Sequence, residues 1–395
     1  MRERWVPTIE AAPTEAGPRP SLPHQQEAEP ASSVRLSSAV VDFSKRRAKI
    51  PSRLAELGVD AFFVNRLPNV RYLTGFSGSN AQAVLTADGG VLLTDGRYAE
   101  QSRREVPDLE RRIYTGEFVP TLGTACADLG VRRVGFESAG VTFKLHSQLA
   151  ATGLELVPTD DVVERLRWAK DAEEVDRLNR AQALADEAFQ VISGKILEGV
   201  TEREAALGLD MTMRELGADG LAFDTIMAFG ENAAEPHHEP SDRALRQGDV
   251  IKIDFGCTIQ GYHSDMTRTL SFGAPAPQLR EIYDVVRRAQ QAGVDAVRAG
   301  ATGGHVDDVV RGTVTEAGYG DRFRHPLGHG VGLEIHEGPS LRHGGSDVLP
   351  EGAVVTVEPG VYLEGLGGVR IEDMVEVLRD GCRVIPATTK DLIIL

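Results

Sequence analysis

Two apolar stretches of the sequence each carry an aspartate where a carboxylate is costly. VIKIDFG and GYHSDMTRTLSF, which begin at residues 250 and 261, have the composition of strands, and a short link joins them. A hairpin that turns immediately after Ile259 would place Asp254 directly opposite Asp265. Like charges in that arrangement destabilise a sheet, and an unpartnered buried carboxylate is more costly still. This pair therefore requires a cation or a proton.

A second pair of carboxylates follows the same pattern further along the chain. Two apolar stretches flank the segment LEGLG, and a turn centred at Gly365 would place Glu358 opposite Glu372. One such pair could be a salt-bridged core pair, whereas two pairs need at least two cationic partners. Arg370 shares a strand face with Glu372 and could answer one charge. Two divalent cations would neutralise all four carboxylates, and two metal ions are a usual hydrolytic arrangement.

Histidines are concentrated in the same part of the chain. Of the 10 histidines, eight lie between His237 and His343. The segment HPLGHGVGLEIHEGP contains His325, His329 and His336, and its glycines argue against a long helix. A loop or irregular strand would let the three rings point into one cavity beside the carboxylates, where an imidazole commonly completes a metal site.

Composition excludes several classes of function. The 395 residues include 43 Lys+Arg and 59 Asp+Glu, a net charge of −16, so we expect no nucleic-acid partner. The cysteines Cys126, Cys257 and Cys382 lack metal-finger or C-x-x-C spacing, which indicates a reducing compartment rather than a disulfide scaffold. No stretch approaches the ~20 apolar residues that span a bilayer, so we expect no membrane contact and a cytoplasmic location.

The pattern along the chain predicts three regions. Residues 1–42 are rich in proline and polar residues, which predicts a disordered tail, with a docking arm as the alternative. Strand and helix patterns alternate over 43–160 and predict an N-terminal α/β domain. Residues 161–395 form the C-terminal domain. It opens with a long helix capped at Asp171, and strands dominate its second half.

Several local elements of the N-terminal domain can be predicted individually. DFSKRRAKIPSRLAEL has the pattern of a helix. NVRYLTGF and the pair AVLTADGGVLLTD have the pattern of strands, and the Asp-Gly-Gly at 88–90 predicts the turn within that pair.

The motifs together resemble a known family. PHHEP, IDFG…SDMTRT, HPLGHGVGLEIHEGP, VTVEPGVY and GGVRIEDMV resemble the proline-specific metallopeptidases, aminopeptidase P and prolidase. Their pita-bread fold is shared with methionine aminopeptidase and creatinase. NVRYLTGFSGSN and LLTDGRYAEQ resemble the N-terminal domain of that family, so the resemblance covers about residues 45–395. It implies a creatinase-like α/β N-terminal domain, an α+β pita-bread catalytic domain, and a homodimer or higher homo-oligomer.

The resemblance also implies five metal ligands. Asp254 would hold one metal, Asp265 and Glu372 would bridge both, and His329 and Glu358 would complete the other. The resemblance points to manganese first. An oxygen-rich set of four carboxylates and one histidine also suits cobalt or iron.

Further matched positions have implied roles in catalysis. Glu358 would also act as general base, His237 would lie near the intermediate, and His336 would face the scissile carbonyl. The resemblance assigns three more residues to the substrate pocket and its support: His325, Tyr362 and Arg370.

The implied function is release of the N-terminal residue from peptides with proline in second position, an Xaa-Pro aminopeptidase. The alternative is an Xaa-Pro dipeptidase (prolidase), because the short motifs do not reach the walls that limit peptide length. Some pita-bread relatives are non-catalytic binding modules, but those typically lose ligands. The extra N-terminal domain argues against methionine aminopeptidase, and the complete ligand set argues against creatinase.

Overall fold

The computed structural model describes residues 42–395. The predicted disordered tail, residues 1–42, lies outside this range except for Asp42, whose side chain accepts from the backbone N–H of Ser44 at the start of the first helix. None of the helices in the described part of the chain is long and apolar enough to cross a membrane.

The N-terminal part is a mixed six-stranded sheet. In the described residues, two α-helices precede its first strand and four lie between its strands along the chain. The six strands are β1 (Ala61–Val64), β2 (Ala81–Thr86), β3 (Gly90–Asp95), β4 (Glu110–Tyr114), β5 (Arg133–Glu137) and β6 (Glu155–Thr159). They lie in the order β4-β3-β2-β1-β5-β6, and only the β1–β2 and β2–β3 pairs are antiparallel. The helices are α1 (Phe43–Arg47), α2 (Ile50–Leu57), α3 (Leu67–Thr74), α4 (Ala99–Glu105), α5 (Val119–Asp128) and α6 (Phe143–Ala150). The α/β class predicted for this part is confirmed.

Two local predictions for this part need correction, and proline explains both. The helix predicted over DFSKRRAKIPSRLAEL is two helices, α1 and α2, with Pro51 in the first turn of α2. The strand predicted over NVRYLTGF is wrong, because this segment forms most of helix α3. Pro68 lies in its first turn, and Gly75 ends it in the left-handed conformation (φ 79°). These end signals outweigh the strand preference of the residues between them.

Three helices connect the N-terminal sheet to the strands that follow. They are α7 (Glu164–Trp168), α8 (Ala172–Ser193) and α9 (Glu202–Glu215). The capping box predicted at Asp171 is present, since its side chain accepts from the backbone N–H of Glu174 and the Glu174 side chain accepts in return. Thr201 caps α9 in the same way.

The C-terminal part combines small antiparallel sheets with two long helices. The strands before the long helices are β7 (Gly220–Leu221), β8 (Ile226–Phe229), β9 (Val250–Phe255), β10 (Cys257–Ile259), β11 (Tyr262–His263) and β12 (Met266–Ser271). The helices are α10 (Pro277–Ala296) and α11 (Gly303–Glu316). The remaining strands are β13 (Gly328–Gly330), β14 (Glu337–Leu341), β15 (Val354–Val357), β16 (Gly360–Leu363), β17 (Gly367–Arg370), β18 (Asp373–Leu378) and β19 (Gly381–Val384). The sheets have the strand orders β11-β10-β7, β12-β9-β8, β14-β13-β15-β18-β19 and β16-β17.

One hydrophobic core continues from the N-terminal sheet into the C-terminal part. It includes Val64 and Leu73 of the first part and Tyr262, Val331 and Met374 of the second, all nearly inaccessible to solvent. The segment after β13 is therefore packed against the N-terminal half, and that segment carries one of the predicted site histidines.

Helix α10 approaches both α11 and strand β15 closely at Gly293. A Cβ there would lie 2.6 Å from Cγ2 of Val310 and 2.8 Å from Cγ1 of Val357. We expect Gly293→Ala to lower the free energy of unfolding by about 1–3 kcal/mol through overpacking, measured by urea denaturation.

Gly312 in α11 is the matched control, because a Cβ there would meet no atom within 4 Å. Gly312→Ala should raise the free energy of unfolding by about 0.5–1 kcal/mol through helix propensity. Destabilisation of equal size by both variants would contradict the close packing described at Gly293.

Candidate metal centre

The first hairpin has a register two residues away from the predicted one. Its turn is formed by Gln260 (φ 48°) and Gly261 (φ 77°), and Asp254 pairs with Thr267. The predicted opposition of Asp254 and Asp265 is therefore wrong. The physical reason is the turn, because a two-residue hairpin connection favours positive φ at both positions.

Asp265 nevertheless reaches the same site, because the strands are interrupted beside it. It lies between β11 and β12, outside both ladders. The facing residue is Gly256, where a Cβ would be 1.9 Å from the carbonyl oxygen of Ser264. Only glycine permits this approach, and the resulting irregularity separates Asp265 from the regular ladder.

The second hairpin has the predicted register. Val357 pairs with Asp373, so Glu358 and Glu372 face each other at the ends of β15 and β18. Gly365 takes a left-handed conformation (φ 74°) in the turn where the sequence centred it.

The five predicted metal ligands converge on one cavity. Asp265, His329 and Glu372 each offer a ligand atom, and these three atoms lie within 4.8 Å of one another. Nε2 of His329 is 3.5 Å from Oδ2 of Asp265 and 3.4 Å from Oε1 of Glu358. Asp254 lines the same cavity, and its Oδ1 is buried with no hydrogen-bond partner among residues 42–395.

Burial and mutual repulsion raise the pKa values of three of these carboxylates, Asp265, Glu358 and Glu372. Burial, followed by the charges of Asp254 and Glu358, raises the pKa of Asp265 well above its ordinary value. Burial and the neighbouring carboxylates, Asp265 first, do the same to the pKa of Glu372. Burial raises the pKa of Glu358 to about 8. Without a cation the cluster therefore retains protons, and a cation would displace them.

The Nε2 atom of His329 faces the carboxylates with its lone pair. Its Nδ1 lies 3.1 Å from the carbonyl oxygen of Gly330, so Nδ1 carries the hydrogen and Nε2 carries the lone pair. Burial, followed by His336, lowers the pKa of His329 to about 4, which keeps the ring neutral. A lone pair that faces carboxylate oxygens is repulsive unless a cation or proton lies between them. The donor set thus fits a divalent cation.

Arg370 forms an ion pair with one of the four carboxylates, but not with the predicted one. Its Nη2 donates to Oδ2 of Asp254, so the predicted pairing beside Glu372 is wrong. The link to Glu372 runs through Thr267, whose Oγ1 accepts from Nε of Arg370 at 3.1 Å and donates to Oε2 of Glu372 at 2.6 Å. Thr267 was not singled out in the sequence, although it lies opposite Asp254.

Arg370, Tyr362 and His325 form a hydrogen-bonded chain. Nη1 of Arg370 donates to Oη of Tyr362 at 2.8 Å, which leaves the Tyr362 hydroxyl to donate to Nε2 of His325 at 2.9 Å. Nδ1 of His325 then donates to the carbonyl oxygen of Pro326 at 2.8 Å. Burial and Arg370 lower the pKa of His325 to about 3, so the ring is neutral. Both its nitrogens are engaged, and only its carbon edge is free to contact a substrate.

The cavity has a volume of about 510 Å³, enough for a small peptide. Arg370 and His325 are part of its wall, whereas Tyr362 contacts both from behind. His237 is exposed on the wall and His336 lies near the ligands, with its ring 4.4 Å from that of His329. All the predicted site residues thus lie in or directly behind one cavity.

Lys252 supports the wall that carries His237, and the sequence offered a signal for it. Its buried Nζ donates to the carbonyl oxygens of Ala233, Glu235 and Pro236. A lysine in an apolar strand, on the same face as Asp254, marks a buried amino group that needs hydrogen-bond acceptors. Arg370 also donates to Pro236, so the two side chains together fix the segment before His237.

We expect Mn²⁺ to stabilise the full chain through this cluster. At about 100 times its Kd, one bound ion should raise the free energy of unfolding by about 2.7 kcal/mol, measured by thermal unfolding with and without Mn²⁺. Glu372→Gln should remove most of this stabilisation.

Glu376→Gln, on the adjoining strand, is the control because Glu376 pairs with Arg383 instead. It should retain the Mn²⁺ effect. If Glu372→Gln responded to Mn²⁺ as the unsubstituted chain does, the cation would bind elsewhere.

Comparison with known proteins agrees with this architecture. The model of metallopeptidase family M24 matches residues 176–379, and that of the creatinase/prolidase N-terminal domain matches 46–168. The Xaa-Pro dipeptidase of Pyrococcus furiosus is 36% identical over 361 residues, 88% of this chain and 99% of the relative.

Two solved structures are similar to this chain over most of its length. The Xaa-Pro dipeptidase from Bacillus anthracis has a TM-score of 0.88 at 37% identity and covers 90% of this chain and 100% of its own. The X-Pro aminopeptidase from Thermotoga maritima has a TM-score of 0.81 at 36% identity and covers 86% and 99%. The chain therefore belongs to metallopeptidase family M24, with a creatinase/prolidase N-terminal domain in front of a pita-bread catalytic domain.

Proposed function

We propose that this protein is an Xaa-Pro dipeptidase that uses two divalent cations. The observation that carries the proposal is the convergence of four carboxylates and a neutral His329 on one cavity large enough for a small peptide. Among the similar proteins, several are named Xaa-Pro dipeptidase or prolidase. The aminopeptidase activity that the motifs favoured has support in the Thermotoga maritima structure, but less support overall.

The cations would be held by the five ligands already described, with manganese as the first candidate. Bound divalent cations lower the pKa of a coordinated water and polarise a carbonyl oxygen. Glu358 is the residue we assign as general base, because its carboxylate lies in the ligand cluster, with Oε1 3.4 Å from Nε2 of His329.

The histidines on the cavity wall would act on the substrate. His237 and His336 carry ring N–H groups that can donate to the oxyanion formed when the carbonyl before proline is attacked. Both line the cavity, and burial lowers the pKa of His336, so its ring is neutral near pH 7. The peptide bond before proline lacks an amide N–H. These histidines would bind the carbonyl oxygen instead, so recognition would not depend on that N–H.

The predicted substrate residues have different parts in this proposal. His325 would contact the substrate through its ring. Arg370 is held by Asp254, Tyr362 and Pro236, so its main effect would be to fix the orientation of Asp254 and of the cavity wall. Tyr362 would hold His325 in one tautomer. A homo-oligomer and a cytoplasmic location remain predictions.

Rates on peptides of two lengths test the proposed substrate class. With Mn²⁺ present, kcat/KM for Leu-Pro should exceed that for Leu-Pro-Gly by at least about tenfold, because the proposed dipeptidase activity is specific for substrates that end at the proline. Amino-acid release is measured by chromatography.

Glu358→Gln is the control for a contaminating peptidase, and its rate on Leu-Pro should fall by about 10²- to 10⁴-fold. A higher kcat/KM on Leu-Pro-Gly would overturn the dipeptidase proposal in favour of the aminopeptidase. No hydrolysis of either peptide would refute both.

A further inference from the structure

The segment between β13 and β14 brings His336 to the cavity without fixing its ring. His336 and its neighbour Ile335 both line the cavity. The His336 ring packs edge-on against His329, but within residues 42–395 it makes no side-chain hydrogen bond. Its position therefore depends on the backbone of its own segment. Whatever holds that backbone determines where the ring lies.

Two glutamates flank His336 and point away from the cavity to buried cations. Nη1 of Arg167 donates to Oε2 of Glu334 at 2.9 Å, and Nη2 of Arg167 donates to Oε2 of Glu337. Lys170 adds a contact of 3.0 Å to Oε1 of Glu337. The side chain of Arg167 is 2% exposed and that of Glu337 is 5% exposed. Hydrogen-bonded pairs at this depth are directional and costly to break.

The N-terminal half reaches the same segment through two polar residues at α3. Oδ1 of Asn69 accepts from Nη1 of Arg167 at 2.7 Å. Nη2 of Arg66 donates to Oε1 of Glu334 at 2.6 Å. The guanidinium of Arg167 therefore joins the helix between the two halves, the N-terminal sheet region and the segment that carries His336.

The backbone on both sides of His336 lies directly against Glu337 and the helix that carries Arg167. A Cβ at Gly332 would be 2.5 Å from Oε1 of Glu337, and a Cβ at Gly338 would be 2.3 Å from Nε1 of Trp168, the residue after Arg167. Because the main chain contacts Glu337 and Trp168 with no side chain between, a shift of either residue would move the backbone. His336 is the residue next to Glu337.

We propose that Arg167 is a positioning residue for His336, and this inference rests on the proposed function of the cavity. Arg167 acts through Glu334 and Glu337 and touches neither substrate nor ligand cluster. Its fork holds the two carboxylates at a fixed separation, and the N-terminal half holds Arg167 through Asn69. The N-terminal domain thus helps to set the geometry of a residue that lies in the C-terminal half.

A double-mutant cycle tests the proposal on the full chain with Mn²⁺ and Leu-Pro. Arg167→Met should lower kcat/KM about 10- to 100-fold where His336 is present. In the His336→Ala background the same change should cost less than about twofold, because there is no ring left to misplace. Arg167→Lys keeps the charge but not the fork, so it should give an intermediate loss.

Arg165→Met is the matched control, since Arg165 lies on the same helix, is exposed and stacks on Trp168. It should change kcat/KM by less than about twofold. Equal losses from Arg167→Met in both backgrounds would overturn the proposal, because they would indicate a general effect on folding. If Arg167→Met does not fold, Arg66→Met takes its place, with a loss of about threefold or more that must vanish in the His336→Ala background.

A second readout needs no activity. The histidine ring signals in ¹⁵N spectra of the full chain, assigned by the loss of one set in His336→Ala, should shift for His336 in Arg167→Met and stay in place in Arg165→Met. An unmoved His336 signal would overturn the positioning role even if the enzyme were active. If the protein hydrolysed neither peptide but Arg167 still positioned His336, this shift would still be seen. The experiment therefore separates an error in the proposed function from an error in the positioning role.

Discussion

The concentration of buried negative charge at one cavity is the constraint on which the rest of this structure depends. Asp254, Asp265, Glu358 and Glu372 meet within one site, and Arg370 supplies a single opposing guanidinium. Carboxylates at such depth interact strongly because little solvent screens them. The carboxylates must therefore either retain protons or share bound cations.

The fold meets this constraint by bringing strand ends together rather than by one contiguous motif. Glu358 follows β15 and Glu372 precedes β18, where the ladders stop and side chains can turn inward. The two hairpins are then joined through Arg370 and Thr267, which bind a carboxylate from each. Separate segments thus become one rigid donor set, as preorganised metal sites require.

Much of this arrangement could be predicted from the sequence, and the failures have physical reasons. The register at Glu358 and Glu372 followed from strand alternation and Gly365. The register at Asp254 failed because the positive φ of Gln260 is not evident from its residue type. The role of Arg167 could not be predicted from the sequence. Its partners Glu334 and Glu337 are distant in the chain, and nothing in the sequence distinguishes an arginine that will be buried from an exposed one.

Without bound cations the carboxylate cluster holds protons that cations displace, and proton release on Mn²⁺ titration measures this displacement directly. In a weakly buffered solution at about pH 6.5, we expect at least about one proton released per chain, because burial raises the pKa values of Asp265, Glu358 and Glu372. The release should shrink at about pH 9.5, above the pKa of Glu358. Tight Mn²⁺ binding with no proton release at either pH would contradict the account.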